Sequence, residues 1–145
     1  MTAPFPHHHE VDLRWEADRQ GTLSADHRPS LIGGPPTQFG GRDDCWSPEH
    51  LLMAAAELCL MTTFLTLAKH DRIEIAGYHS HAKGTVDKTP EGTAFSFIAV
   101  DVEIRAHAKD LAAAADALQR AKAQSVVSKS LRRPVELRVR LTATG

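Results

Sequence analysis

Two thiols are the side chains here best suited to nucleophilic or redox chemistry, because a thiolate forms at accessible pH and oxidises reversibly. Cys59 falls within residues 51–68, a run that is apolar at most positions. A free cysteine in such a run ordinarily packs as a small hydrophobe. Its neighbours disturb that reading. Glu57, two positions earlier, is a carboxylate among apolar side chains, and burying it requires a partner or a raised pKa. Thr62, Thr63 and Thr66 bring hydroxyls near the sulfur, although a helical threonine more often bonds back to its own helix. Cys45 lies beside Asp43, Asp44 and Trp46. Nearby acids raise a thiol's pKa and make it the poorer nucleophile.

The remaining constellations are weak. Nine histidines are scattered along the chain, and His79 and His81 share one face of an expected strand. Such a pair is half of a zinc or nickel site, but no third ligand has motif spacing, so no metal is expected. His7, His8 and His9 read as a solvated terminus. No phosphate loop, dinucleotide fingerprint, Gly-x-Ser-x-Gly or HExxH is present, and no cofactor is expected. Arg132 and Arg133 form a short basic pair expected to be solvated.

The elements that must position Cys59 are legible. Ser47 suits a helix N-cap, Pro48 the first helical position and Glu49 the positive end of the helix. The helix that follows is apolar all round, so it must be enclosed all round, and a partner chain could supply that enclosure. A core helix explains it better than a membrane span, because Glu57 interrupts it. Upstream, residues 10–17 alternate, with Val11, Leu13 and Trp15 on one face, and Gln20-Gly21 suggests a hairpin turn. Ser30-Leu31-Ile32 reads as a third short strand, followed by a Gly- and Pro-rich loop to Trp46. Downstream, residues 73–86 and 93–107 read as two strands joined by a turn over residues 87–92, and the second alternates, with Ser96, Ile98, Val100, Val102 and Ile104 on one side. Residues 109–123 read as a helix with Leu111, Ala114, Ala115 and Leu118 inward. Residues 126–131 form a short helix that Pro134 ends, and residues 135–141 a final strand. The fold class is α+β with largely antiparallel sheets.

Composition bounds the function. The chain has 145 residues, 42% hydrophobic and 24% charged, with a net charge of -1. One domain is expected over residues 1–145, with residues 1–9 a flexible N-terminus. A chain of this length buries about 70% of its unfolded surface, enough for a core without staples. The charge balance gives no electrostatic case for nucleic acid. Two cysteines are not a disulfide scaffold. The terminus lacks the basic and apolar regions of a secretion signal, which points to a cytoplasmic location without a membrane partner.

The stretch Ser47-Pro-Glu-His-Leu-Leu-Met-Ala-Ala-Ala-Glu-Leu-Cys59 resembles the helix of the OsmC/Ohr family, the osmotically inducible and organic hydroperoxide resistance proteins. In that helix a Pro-Glu pair precedes a reactive cysteine by the spacing seen between Glu49 and Cys59. The Pro36 to Gly41 loop, the Ala-rich second helix and residues 127–131 also fit, so the resemblance covers roughly residues 10–143. It implies an intertwined α+β homodimer with the cysteine helix central. It also implies thiol-dependent reduction of organic or lipid hydroperoxides, with Cys59 as the attacking residue. Glu49 would match the glutamate that orients an activating arginine. Arg19, Arg28 and Arg42 are the candidates for that arginine, with Arg42 preferred because its loop leads into Glu49. Ten helical residues separate Glu49 from Cys59 by about 15 Å, so if both serve one site Glu49 must come from the second copy.

One departure limits the carry-over. The family's resolving cysteine precedes a Pro-Val-Ser segment, and here that position is Ser125. The resemblance therefore implies a one-cysteine enzyme with an external thiol reductant, unless Cys45 substitutes as the resolving thiol. The alternatives are a binding protein that keeps the fold and holds an apolar ligand at the dimer interface, and a dimeric stress-associated protein in which Cys59 is simply core.

Overall fold

The computed structural model describes residues 3–145. The chain forms two compact units, the first ending at Leu51 and the second spanning Leu52–Gly145. Residues 6–11 have no regular secondary structure, although the Phe5 and His7 rings stack with centroids 4.3 Å apart.

The first unit is built on strands β1 (Asp12–Ala17), β2 (Gln20–Ser24) and β3 (Leu31–Gly33), antiparallel and in that order. The expected hairpin turn at Gln20-Gly21 is displaced. Ala17 pairs with Gln20, so Asp18 and Arg19 make the turn and Gly21 lies in the strand. Asp18 takes a left-handed φ of 50°, which a short polar side chain tolerates, and the Trp15 indole N–H donates to its carbonyl at 2.9 Å. A Cβ on Gly21 would lie 2.7 Å from Leu13 Cδ1, the tip of a largely exposed side chain that can move aside. Leu13 and Trp15 share a face of β1 as predicted, whereas Val11 falls just before the strand, and the three remain 69%, 74% and 67% exposed.

Helix α1 (Pro48–His70) begins where its sequence signals place it. Ser47 is buried, and its Oγ accepts from the His50 backbone N–H at 3.1 Å. The loop before it is stitched to β3: Trp46 N donates to Ile32 O and Gly34 N to Trp46 O.

The second unit carries a sheet in the order β4 (Ile75–Thr89), β5 (Gly92–His107), β6 (Val135–Thr144). The β4–β5 strands run further into the expected turn than the sequence predicts, leaving Pro90 and Glu91 between them. Their pairing is antiparallel, but β5 and β6 pair in parallel, from Ile98 opposite Val135 to His107 opposite Thr144. The expected, largely antiparallel pairing holds for β1–β2, β2–β3 and β4–β5, and β5–β6 is the parallel exception. Helices α2 (Leu111–Gln124) and α3 (Val126–Ser130) occupy the connection, which is the long crossover a parallel pair needs.

The core of this unit joins Leu60 and Phe64 of α1 to Ile98, Val100 and Ile104 of β5 and Leu118 of α2. The alternation predicted for β5 holds, with Val102 and Ala106 also inward. The α2 stripe is rotated: Ala114, Ala117, Leu118 and Ala121 are buried, while Leu111 and Ala115 are only partly covered. Helix α1 is long and apolar enough to cross a membrane by length and composition. Its buried line Ala56, Leu60, Phe64 and Ala68 belongs to the core, whereas Leu58 is 58% exposed.

Candidate active site

Cys59 projects from the fourth turn of α1 and is partly buried. Ser125, fully buried, ends α2 and opens α3. Burial pushes the Cys59 thiol up, but four donors outweigh it: the Ser125 hydroxyl, the Val127 and Val126 backbone N–H groups and the Thr63 hydroxyl. The net effect holds the thiol below its ordinary value, because hydrogen bonds to a thiolate favour the charged form.

The threonines divide their work. Thr62 Oγ1 donates to Leu58 O at 3.1 Å and Thr66 Oγ1 to Thr62 O at 2.8 Å, the back-bonding expected of helical threonines. Thr63, one turn beyond Cys59, turns to the sulfur instead. Glu57 acquires the partner that its position demands, since Ser80 Oγ donates to Glu57 Oε2 at 2.8 Å. The Tyr78 hydroxyl, buried without a partner among the described residues, is pushed up to about 12 by burial and then by the Glu57 charge.

Cys45 contrasts with Cys59. Burial and then the Asp44 carboxylate, which accepts from its Sγ at 3.5 Å, raise its pKa. Arg42 is engaged by the same carboxylate: its Nε donates to Asp44 Oδ1 at 2.7 Å and its Nη2 bonds Asp44 Oδ2. Arg28 Nη1 donates to Asp26 O at 2.9 Å. Arg19 forms no ion pair among the described residues and lines an apolar groove of about 610 Å³ in the first unit, with Leu13, Trp15, Leu23 and Trp46. Glu49 lies in the first turn of α1, ten residues before Cys59 on one continuous helix.

The β4–β5–β6 register sets His79 opposite Glu103 and His81 opposite Asp101, each followed across the sheet by Arg140 or Arg138. Arg138 Nε donates to Asp101 Oδ1 at 3.1 Å. Among the described residues no three His, Cys, Asp or Glu side chains converge as metal ligands. Arg133, expected to be solvated, is instead held by Phe95 O, to which its Nε donates at 3.0 Å.

Sequence reasoning missed the part played by Ser125. It read the residue as a vacancy left by a thiol, although a serine directly before a short helix is itself an N-cap signal. The Val126 and Val127 N–H groups carry no side-chain signature and could be found only from the fold.

Comparison places these features. A sequence profile of the OsmC-like protein family matches residues 41–140. No curated protein matches the chain. Among solved structures, an OsmC-like protein of unknown function from Vibrio cholerae is similar with a TM-score of 0.85 and 16% identity, covering 93% of this chain and 100% of that one. An organic hydroperoxide resistance protein from Elizabethkingia anophelis is similar with a TM-score of 0.75 and 17% identity, over 97% and 100%. The organic hydroperoxide resistance protein OhrB of Bacillus subtilis is similar with a TM-score of 0.63 and 20% identity, over 92% and 98%. The helix that opens at Ser47 and carries Cys59 lies inside the matched region, and the chain belongs to the OsmC-like protein family.

Proposed function

We propose that this protein is a cytoplasmic, thiol-dependent peroxidase that reduces organic or lipid hydroperoxides through Cys59. The observation that carries the reading is the placement of Cys59, partly buried on the helix that opens at Ser47 within the region matching the OsmC-like family. Hydrogen bonding holds its thiol below the ordinary value, which favours the nucleophilic thiolate. The thiolate attacks the terminal peroxide oxygen, the O–O bond breaks, and the departing alkoxide takes a proton to leave as an alcohol. Cys59 becomes a sulfenic acid. An external thiol condenses with it and releases water. A second thiol then attacks the mixed disulfide, frees Cys59 and departs as the oxidised reductant. The external reductant follows from Ser125, which cannot form a disulfide.

The working unit is a homodimer. Glu49 cannot reach Cys59 along one helix, since ten residues span about 15 Å, so the second copy supplies it. The arginine that it orients is Arg42 if Asp44 releases its guanidinium, and Arg19 if it does not. Arg42→Ala and Arg19→Ala separate the two: the activating arginine is the one whose loss slows peroxide reduction.

A second reading has its own observation. The apolar groove beside Arg19, about 610 Å³, suits an apolar ligand held without turnover. One assay decides between them. Consumption of cumene hydroperoxide with dithiol and monothiol reductants in parallel is expected for the wild type and for Cys45→Ser, and is lost in Cys59→Ser. No consumption by the wild type, or equal loss in both variants, rejects the peroxidase and leaves the binding protein.

A further inference from the structure

We propose that the pocket at the α3–β6 connection is a binding site for a small monocarboxylate, an acid whose apolar body is a single aromatic ring or a short acyl chain. The site lies wholly within the second unit and does not depend on the peroxidase reading.

Leu131 closes α3, its N–H donating to Ser128 O at 3.3 Å, and Val135 opens β6 opposite Ile98. The connection between them is pinned at both ends. It carries Arg132 and Arg133 to the edge of a cavity of about 230 Å³. Leu52, Phe95, Ile98 and Leu131 give that cavity an apolar lining. Sites for drug-sized ligands run to roughly 300–1,000 Å³, so this one suits a smaller body.

The arginines supply the other half of the recognition. Arg133 Nε donates to Phe95 O at 3.0 Å, which anchors the guanidinium. Its Nη2 stands 3.8 Å from Glu91 Oε2, beyond hydrogen-bond length. That same carboxylate oxygen accepts from Thr89 Oγ1 at 3.0 Å, which ties Glu91 to its own turn. The two Nη groups of Arg133 therefore have no hydrogen bond among the described residues. A planar guanidinium presents its donors as a fork that a carboxylate fills with two parallel bonds. Anchored in advance, the fork loses little freedom when a ligand arrives. Arg132 lines the same cavity and forms no ion pair among the described residues. Two arginines against one glutamate leave a single positive charge, which matches a monoanion better than a dianion.

The test is a ligand-observed NMR titration of the full-length chain. Phenylacetate carries both features, acetate the carboxylate alone, benzyl alcohol the apolar body alone, and phenyl phosphate a dianion. Phenylacetate is expected to bind saturably, one per chain, and roughly tenfold or more tighter than any of the other three, the weight of one hydrogen bond to a charged group. Arg133→Lys keeps the charge and removes the fork, and is expected to weaken phenylacetate by a similar factor. Arg132→Gln is expected to weaken it as well. Glu91→Gln removes the opposing charge and is expected to tighten it, the reverse of what damage to the fold would do. Circular dichroism checks that each variant is folded. Equal binding of phenylacetate and benzyl alcohol overturns the proposal, and so does tighter binding of phenyl phosphate. Unchanged affinity in folded Arg133→Lys and Arg132→Gln overturns it too. Loss of binding in Arg19→Ala alone assigns the ligand to the groove of the first unit, with the same consequence. None of the probes is a peroxide, so the two readings fail separately. A chain that binds phenylacetate and ignores cumene hydroperoxide rejects only the peroxidase, and one that consumes cumene hydroperoxide without binding phenylacetate rejects only this site.

Discussion

A half-buried thiol ordinarily loses acidity, because low dielectric penalises the anion. Cys59 goes the other way, since the Ser125 hydroxyl, two backbone N–H groups and the Thr63 hydroxyl exceed the burial penalty. Cys45 shows the ordinary case, raised by burial and then by Asp44. The opposite signs make opposite predictions for stability. A native pKa below the unfolded one means that the native state releases its proton first. Its contribution is fully present above the unfolded thiol value of about 8.5, and is lost as pH falls through the lower native value. In a Cys45→Ser background, the urea midpoint of the wild-type residue at 59 is therefore expected to exceed that of Cys59→Ser by more at about pH 9.5 than at about pH 6. A gap independent of pH between those two conditions shows that the thiolate is not favoured by the fold. Without the Cys45→Ser background the effect would be blunted, because a raised native pKa at Cys45 removes stability as pH rises.

The loop that delivers the chain to α1 is constrained by backbone contact. At Gly41 a Cβ would lie 1.7 Å from Pro35 O and 3.0 Å from Pro36 O, and the Gly41 N–H donates to Pro36 O at 3.0 Å. No side-chain rotamer relieves a clash with a carbonyl. Gly41→Ala is expected to destabilise by roughly 1–3 kcal/mol as the loop shifts, comparable to overpacking a core. Ser47→Ala, which removes the N-cap acceptor of α1 and the 2.6 Å hydrogen bond between Ser47 Oγ and His50 Nδ1, should cost about 1 kcal/mol. Chemical denaturation of both variants checks the order, and Gly41→Ala costing less than Ser47→Ala contradicts it. The start of α1 was legible in the sequence because Ser47, Pro48 and Glu49 are local signals that depend on no distant contact. The alternation of β5 was legible for the same reason. The parallel pairing of β6 was not, because side-chain alternation along a strand is the same in either direction. The Asp18-Arg19 turn was missed since Gly21 reads as a turn residue, while it pairs inside the strand opposite Trp15. Cys59 and the nearby Thr63 could be singled out, but the other groups that lower its pKa could not, because they belong to residues 125–127 at the α2–α3 connection.

Apolar surface left uncovered is the feature that both units share. In the first, Leu13 and Trp15 are 69% and 74% exposed on the β1 face. In the second, Leu58 and Leu65 of α1 are 58% and 37% exposed, although α1 is apolar on nearly every side. Scattered apolar residues are normal on a surface, but several along one helix and one strand face are what the proposed second copy would cover. The proposed second copy also answers the geometry of Glu49, which one continuous helix keeps from the Cys59 of its own chain. Sedimentation equilibrium is expected to return twice the mass of the chain, at concentrations well below those of the assay. Leu58→Asp places a charge on the exposed side of α1, away from the buried line of Ala56, Leu60 and Phe64. The variant should therefore keep the fold of the second unit while the assembly dissociates toward monomer. Peroxide reduction should fall with the dimer, because the Glu49 of each site leaves with the other copy. Circular dichroism separates dissociation from unfolding in that variant. A wild-type monomer at assay concentration, or a monomeric Leu58→Asp variant with undiminished peroxide reduction, would show that each chain completes its own site.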